Sequence, residues 1–97
     1  MNKYETLYVL NADMDEEATA ATIEKMSSIV KENGGEVVEV KPWGKRRLAY
    51  PINFKNEGYY VLMTFNAEVA LLADLEHNFK INENVVRHMI VRLEDEE

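Results

Sequence analysis

The residues best equipped for chemistry lie in one run, Lys41 to Lys55. It carries five basic side chains (Lys41, Lys45, Arg46, Arg47 and Lys55) and no acidic one. Trp43, Tyr50 and Phe54 are interleaved with them, and the chain's two prolines, Pro42 and Pro51, stiffen the run. Guanidinium groups grip phosphate through two parallel donors, and aromatic rings can stack on bases, so phosphate is the ligand this composition suggests. A second reading needs no ligand: Lys45-Arg46-Arg47 can be a charged sheet edge that blocks strand-to-strand aggregation. Composition alone leaves both open.

Other chemistry is poorly served. The only histidines, His77 and His88, stand without the partners that a nucleophile, base or metal ligand needs. With no cysteine there is no thiol nucleophile, disulfide or thiolate metal site. Asp13, Asp15, Glu16 and Glu17 can hold a hard cation in principle, but a solvated helix start explains them better. Gly34-Gly35 reads as a helix stop, and no glycine loop cradles a phosphate. The expectation is no catalytic residue, no metal, no cofactor and no small-molecule substrate.

The net charge of -7 argues against nucleic acid on its own. Its distribution argues otherwise. The acids gather at Asp13 to Glu17 and at Glu94-Asp95-Glu96-Glu97, away from the basic run. Charges further apart than a Debye length of about 8 Å hardly cancel at physiological salt. No apolar run approaches the roughly 18 residues of a membrane helix. The start, Met1-Asn2-Lys3-Tyr4-Glu5, leads into strand-like alternation rather than a secretory leader.

The 97 residues read as one domain, 1–93, with a short acidic tail, 94–97. Lys3 to Leu10 alternates as a first strand, apolar on both faces and therefore central. Asp13 with Glu16 suggests a capping box, with Asp15 as the rival cap, for a helix running to about Asn33. Ile23, Met26, Ile29, Val30 and the alanines form its stripe. Glu36 to about Phe54 reads as a second strand bent at Pro42-Trp43-Gly44. A turn at Lys55-Asn56-Glu57-Gly58 leads into a buried third strand, Tyr59 to Phe65. A second helix starts at Asn66-Ala67-Glu68, with Val69, Leu72, Leu75 and Phe79 inward, and Val85 to Leu93 is the fourth strand. The order β-α-β-β-α-β predicts an α+β, ferredoxin-like sandwich: a four-stranded antiparallel sheet with both helices on one face.

That architecture leaves one sheet face without helices. If Thr6, Tyr8 and Leu10 face the helices, then Leu7, Val9, Tyr60, Leu62, Met89 and Val91 face outward as an apolar patch, which marks a partner-binding surface. Tyr59 and Tyr60 admit base stacking or sheet packing, and alternation sends one of them to each face. Gly58-Tyr59-Tyr60-Val61 partly resembles the strand-three signature of RNA-recognition motifs, with Glu57 where that signature is basic. Residue chemistry also leaves room for a small-molecule sensor of the same fold. An acylphosphatase-like hydrolase would need an arginine in a glycine loop where Asn11-Ala12-Asp13-Met14-Asp15 stand.

Gly44-Lys45-Arg46-Arg47-Leu48-Ala49-Tyr50-Pro51-Ile52 closely resembles the hallmark segment of the bacterial small-ribosomal-subunit protein S-six family. Tyr4-Glu5 near the start, and Asn84-Val85 with Arg87 and Met89, resemble its first and last strands. The resemblance spans nearly the whole chain. It implies a ferredoxin-like ribosomal protein without catalytic activity, cytoplasmic and ribosome-bound. It further implies binding to the central domain of the small-subunit ribosomal RNA, as a heterodimer with the short basic small-subunit protein S-eighteen, in support of subunit assembly and translation. On the family pattern Arg46, Arg47, Tyr50 and Arg87 are candidate RNA-binding residues, and Lys45 joins them from the same basic run.

Overall fold

The computed structural model describes residues 1–52 and 55–93, the side chains of 48–52, 55 and 56 being left aside. The elements follow as β1 (Asn2–Asn11), α1 (Glu16–Glu32), β2 (Glu36–Ile52), β3 (Lys55–Ala67), α2 (Val69–Ile81) and β4 (Val85–Leu93). The strands form one sheet in the order β2-β3-β1-β4, every neighbour antiparallel. The two strands expected at the centre, β1 and β3, are there.

The helices sit on one face because period-2 alternation supplies a single apolar row for them. Tyr4, Thr6, Tyr8 and Leu10 of β1 lie across from Phe65, Met63, Val61 and Tyr59 of β3. Most of that row is fully buried, in one cluster with Met26, Ile29 and Val30 of α1 and Leu71, Leu75 and Phe79 of α2. Thr6 is the polar member. Its hydroxyl donates to the Met89 carbonyl of β4 at 2.8 Å, so its burial leaves no orphaned donor.

Asp15, not Asp13, caps α1: its carboxylate accepts from the Ala18 amide at 2.7 Å. The Asp13 amide instead donates to the Asn11 side chain at 3.0 Å, shaping the approach turn. Glu16 and Glu17 then fall in the first turn, where the helix dipole favours carboxylates. The stripe of α1 also differs from expectation. Ala20 and Ala21 are exposed, while Thr19 and Thr22 are buried. Their hydroxyls bond back to the carbonyls of Asp15 and Ala18, both at 2.9 Å, which makes a threonine acceptable there. In α2, Val69 is 67% exposed and the buried positions are Leu71, Leu75 and Phe79, an i, i+4, i+8 row.

The expected turn at Lys55 to Gly58 is strand. Ile52 pairs with Lys55, Arg47 with Glu57 and Arg46 with Gly58, so the pairing of β2 with β3 runs through these residues. Because β1 ends at the pair Asn11 and Gly58, this hairpin overhangs the sheet. At its other end β3 continues to Ala67, which moves the start of α2 to Val69.

The exit of α1 holds because two amides turn back onto it. The Gly34 amide donates to Lys31 at 3.3 Å and the Gly35 amide to Val30 at 2.8 Å, the paired bonds of a Schellman cap. Gly34 has φ +84 with open space around it. A Cβ on Gly35 would instead meet Val30 Cγ1 at 2.8 Å, Leu71 Cδ1 at 2.9 Å and the Val30 carbonyl at 2.9 Å. Gly34→Ala should therefore cost roughly 1–2 kcal/mol through its backbone angle, and Gly34→Asn should recover part of that loss. Gly35→Ala should cost about 1–3 kcal/mol through overpacking, with no recovery in Gly35→Asn. Urea denaturation of the four variants checks this, and equal rescue by Asn at both sites would remove the distinction.

Tyr8 carries a second test. Its hydroxyl is buried without a hydrogen-bond partner among the described residues, while its ring packs on Phe79 at 5.0 Å. Burial, with nearby Tyr59, pushes its ionisation well above the ordinary 10. The sign follows: the unfolded chain releases this proton first, so stability is retained below pH 10 and lost as pH rises beyond it. Tyr8→Phe should leave stability unchanged or raise it by about 1 kcal/mol near neutrality. It should also remove up to about 1.4 kcal/mol per pH unit from the alkaline slope. Thermal or urea unfolding between neutral and alkaline pH measures both, and a large loss of stability near neutrality would contradict the assignment.

Candidate nucleic-acid and partner interface

The face of the sheet away from the helices is set by the same register. One row runs Met89, Leu7, Leu62, Lys41 across β4, β1, β3 and β2. The next, toward the hairpin, runs Arg87, Val9, Tyr60, Gly44. Beyond it Asn11, Gly58 and Arg46 are aligned. In the opposite direction come Val91, Glu5, Thr64 and Glu39, then Leu93, Lys3, Asn66 and Glu36.

All six residues expected on the apolar patch therefore share this face. They are not equally available. Met89 is 54% and Val91 42% exposed, Leu7, Tyr60 and Leu62 are partly buried, and Val9 is only 4% exposed. Val9 sits between Arg87 and Tyr60 in its row, and neighbours of that size account for its cover.

The basic run is divided by strand alternation. Arg46 lies on the open face, as does Arg87 of β4. Lys45 is opposite Tyr59 and turns to the helix side, where it lines a cleft with Pro42, Tyr59 and the first half of α1, including its cap Asp15 and the carboxylates of Glu16 and Glu24. Arg47 also has the helix-side parity but is paired with Glu57 on the overhang, beyond the end of β1. The side chain of Tyr50 lies outside those described. Lys41 faces outward and pairs with Glu39 at 3.6 Å. Arg92 points to the helix side and bonds the Asn2 side chain at 3.0 Å.

The face thus has a polarity along the strands. Arg46 and Arg87 stand at the hairpin end, and Glu5, Glu36 and Glu39, with Lys3, stand at the other. Glu36 accepts from the Asn66 side chain at 3.2 Å, which holds its carboxylate on this surface.

Pro42-Trp43-Gly44 bends β2 as expected, and does more. The register shifts between Pro42 and Gly44, so Trp43 is the extra residue of a β-bulge. Gly44, with φ +85, supplies the backbone angle. The bulge sets the indole of Trp43 nearly parallel to the ring of Tyr60 and offset from it, with centroids 6.4 Å apart and planes 11° from parallel. Trp43, Tyr60 and Arg46 line one shallow depression. Reading the sequence placed Trp43 in a bend and among the aromatics of the basic run, without pairing it with Tyr60. The signal for its role was the extra residue itself, which reaches this face only through a long-range register.

The histidines do not join this site. His88 has the helix-side parity, stacks on Phe79 at 5.0 Å and lies 3.9 Å from the Glu76 carboxylate, tying β4 to α2. His77 is exposed on α2. Among the described residues no group of three or more His, Asp or Glu could hold a metal, and no helix is long and apolar enough to cross a membrane.

A family model described as ribosomal protein S6 matches residues 3–92. The small ribosomal subunit protein bS6 of Clostridium novyi is 50% identical over 94 residues, which span 97% of this chain and 99% of that one. The protein of the same name from Desulforamulus reducens is 50% identical over 92 residues, spanning 95% and 97%. Among solved structures, the 30S ribosomal protein S6 of Thermotoga maritima superposes with a TM-score of 0.91 at 26% identity, covering 95% of this chain and 87% of that one. A match of this extent in sequence, together with the shared β-α-β-β-α-β sheet, places the chain in the ribosomal protein S6 family.

Proposed function

We propose that this chain binds the central domain of the small-subunit ribosomal RNA with the hairpin end of its open face, while small-subunit protein S-eighteen covers the apolar middle and the acidic end. As a member of the ribosomal protein S6 family it is a structural constituent of the small subunit, acts in translation, is ribosome-bound in the cytoplasm and catalyses no reaction.

The observation that carries the proposal is the polarity of the open face. Arg46 and Arg87 meet phosphate at one end. Glu5, Glu36 and Glu39 suit a basic protein at the other. Between them Leu7, Leu62, Met89 and Val91 form an apolar strip that favours cover by a partner, with Val9 and Tyr60 supporting it from the adjoining row. Arg47 and Tyr50 belong to the overhanging hairpin, which RNA can approach from either side. Lys45 contributes from the helix side, where the carboxylates of α1 weaken its pull on phosphate. Sharing the RNA between two proteins also reconciles a chain of net charge -7 with a polyanion, since the partner supplies further cations.

In the heterodimer, Arg46→Ala with Arg87→Ala should lower RNA affinity. It should also reduce the slope of log affinity against log salt by about 1.5, the loss of two phosphate contacts. Lys45→Ala should change that slope less. Filter binding or fluorescence anisotropy across a salt series reads both, and unaltered RNA binding by the partnered Arg46→Ala, Arg87→Ala protein would count against the RNA site. Met89→Glu with Val91→Glu should abolish co-purification with the partner at unchanged melting temperature, because both side chains are exposed in the free chain. A double variant that still pairs would mean that the partner uses another surface.

A further inference from the structure

The stacked pair of Trp43 and Tyr60 is larger than sheet packing requires. Val9 already lies between Tyr60 and Arg87 in its row without help from Trp43. Trp43 adds little to the helix-side core: it is a bulge residue on the outer face, 43% exposed. Its indole runs nearly parallel to the Tyr60 ring and offset from it, and a large part of the side chain is left to solvent. An exposed aromatic plane, extended by a second near-parallel ring beside it and set by a bulge, is preorganised for another flat group.

We propose that Trp43, with Tyr60 and Arg46 beside it, is a stacking platform for one unpaired nucleobase. The proposal rests on the RNA-binding reading above and specifies the contact made there. The surrounding charge selects the occupant. Arg46 lines the same depression and Arg87 stands in the same cross-strand row as Tyr60. Two guanidinium groups disfavour a lysine or arginine of a basic partner as the stacking group. They favour a flat group that carries a phosphate, so that the base lies on the indole while its backbone meets Arg46. A base within a duplex has no free face to offer, so the occupant is a nucleotide in a loop, bulge or single strand.

Stacking and phosphate contact are separable by salt. A lost phosphate contact flattens the salt dependence, whereas a lost stack lowers affinity at every salt concentration and leaves the slope unchanged. With the partner bound, Trp43→Leu should weaken binding to the target RNA about 10-fold with an unchanged slope. Trp43→Phe should recover most of the loss. Trp43 is the chain's single tryptophan, so its emission should be quenched when the full chain binds a single-stranded oligoribonucleotide and not when it binds linear polyphosphate. Thermal unfolding checks that the variants remain folded.

The opposing outcomes are distinct. Equal RNA affinity for Trp43→Leu and the unsubstituted protein overturns the platform and leaves the RNA site standing. So does bound RNA with unquenched emission. A variant that loses the partner protein instead makes the ring pair a protein contact and overturns the platform. If the unsubstituted heterodimer shows no RNA affinity, the broader reading fails and the platform with it.

Discussion

The register between β1 and β3 is the constraint on which the remaining structure depends. Tyr8 opposite Val61 and Thr6 opposite Met63 put one alternate set of side chains under the helices. The complementary set, Leu7 with Leu62 and Val9 with Tyr60, is thereby turned to the open face. A slip by one residue would exchange the two sets and bring Glu5 toward the helices. Burying that carboxylate unpaired would cost several kcal/mol. The core packing therefore decides which side chains the open face presents.

The bulge at Trp43, one of the register shifts in β2, is a local exception to that rule, and the pairing of Trp43 with Tyr60 depends on it. Unbroken alternation after Pro42 would place Trp43 outward but would turn Gly44 inward and reverse every later residue. The extra residue instead lets Trp43 and Gly44 both associate with the Tyr60 position. It also sends Arg46, rather than Lys45 and Arg47, to the open face. One inserted position thus decides which cations accompany the ring pair.

Much of the architecture was legible because it is encoded locally. Alternation in Lys3 to Leu10, the Gly34-Gly35 stop and the apolar content of β3 each report on neighbours within a few residues. The errors fall where distant residues decide. Lys55 to Gly58 has turn chemistry, yet pairing with β2 keeps it extended. Asp13 and Asp15 are equally good caps by type, and only the path of the approach turn selects Asp15. The six-residue patch was found by parity, but the cover over Val9 depends on the bulk of its cross-strand neighbours. Lys45, Arg46 and Arg47 were grouped by charge although adjacent strand residues must diverge. That signal was present in the sequence and outweighed by composition.

Charge arrangement also explains why a basic segment can persist in an acidic chain. Glu5, Glu36 and Glu39 are separated from Arg46 by intervening cross-strand rows at about 3.3 Å per residue along the strands. A span of six or so residues is therefore on the order of 20 Å, well past the Debye length at physiological salt. The two ends of the open face consequently act as separate electrostatic surfaces. A polyanion approaching the hairpin end meets Arg46 and Arg87 before it senses the net charge, and a basic protein approaching the other end meets carboxylates. Neither attraction is strong alone, since exposed single charges contribute little in water. On the proposed reading, binding both ligands covers the apolar strip between them at the same time, and the charge pattern orients an association that burial of Leu7, Leu62, Met89 and Val91 favours.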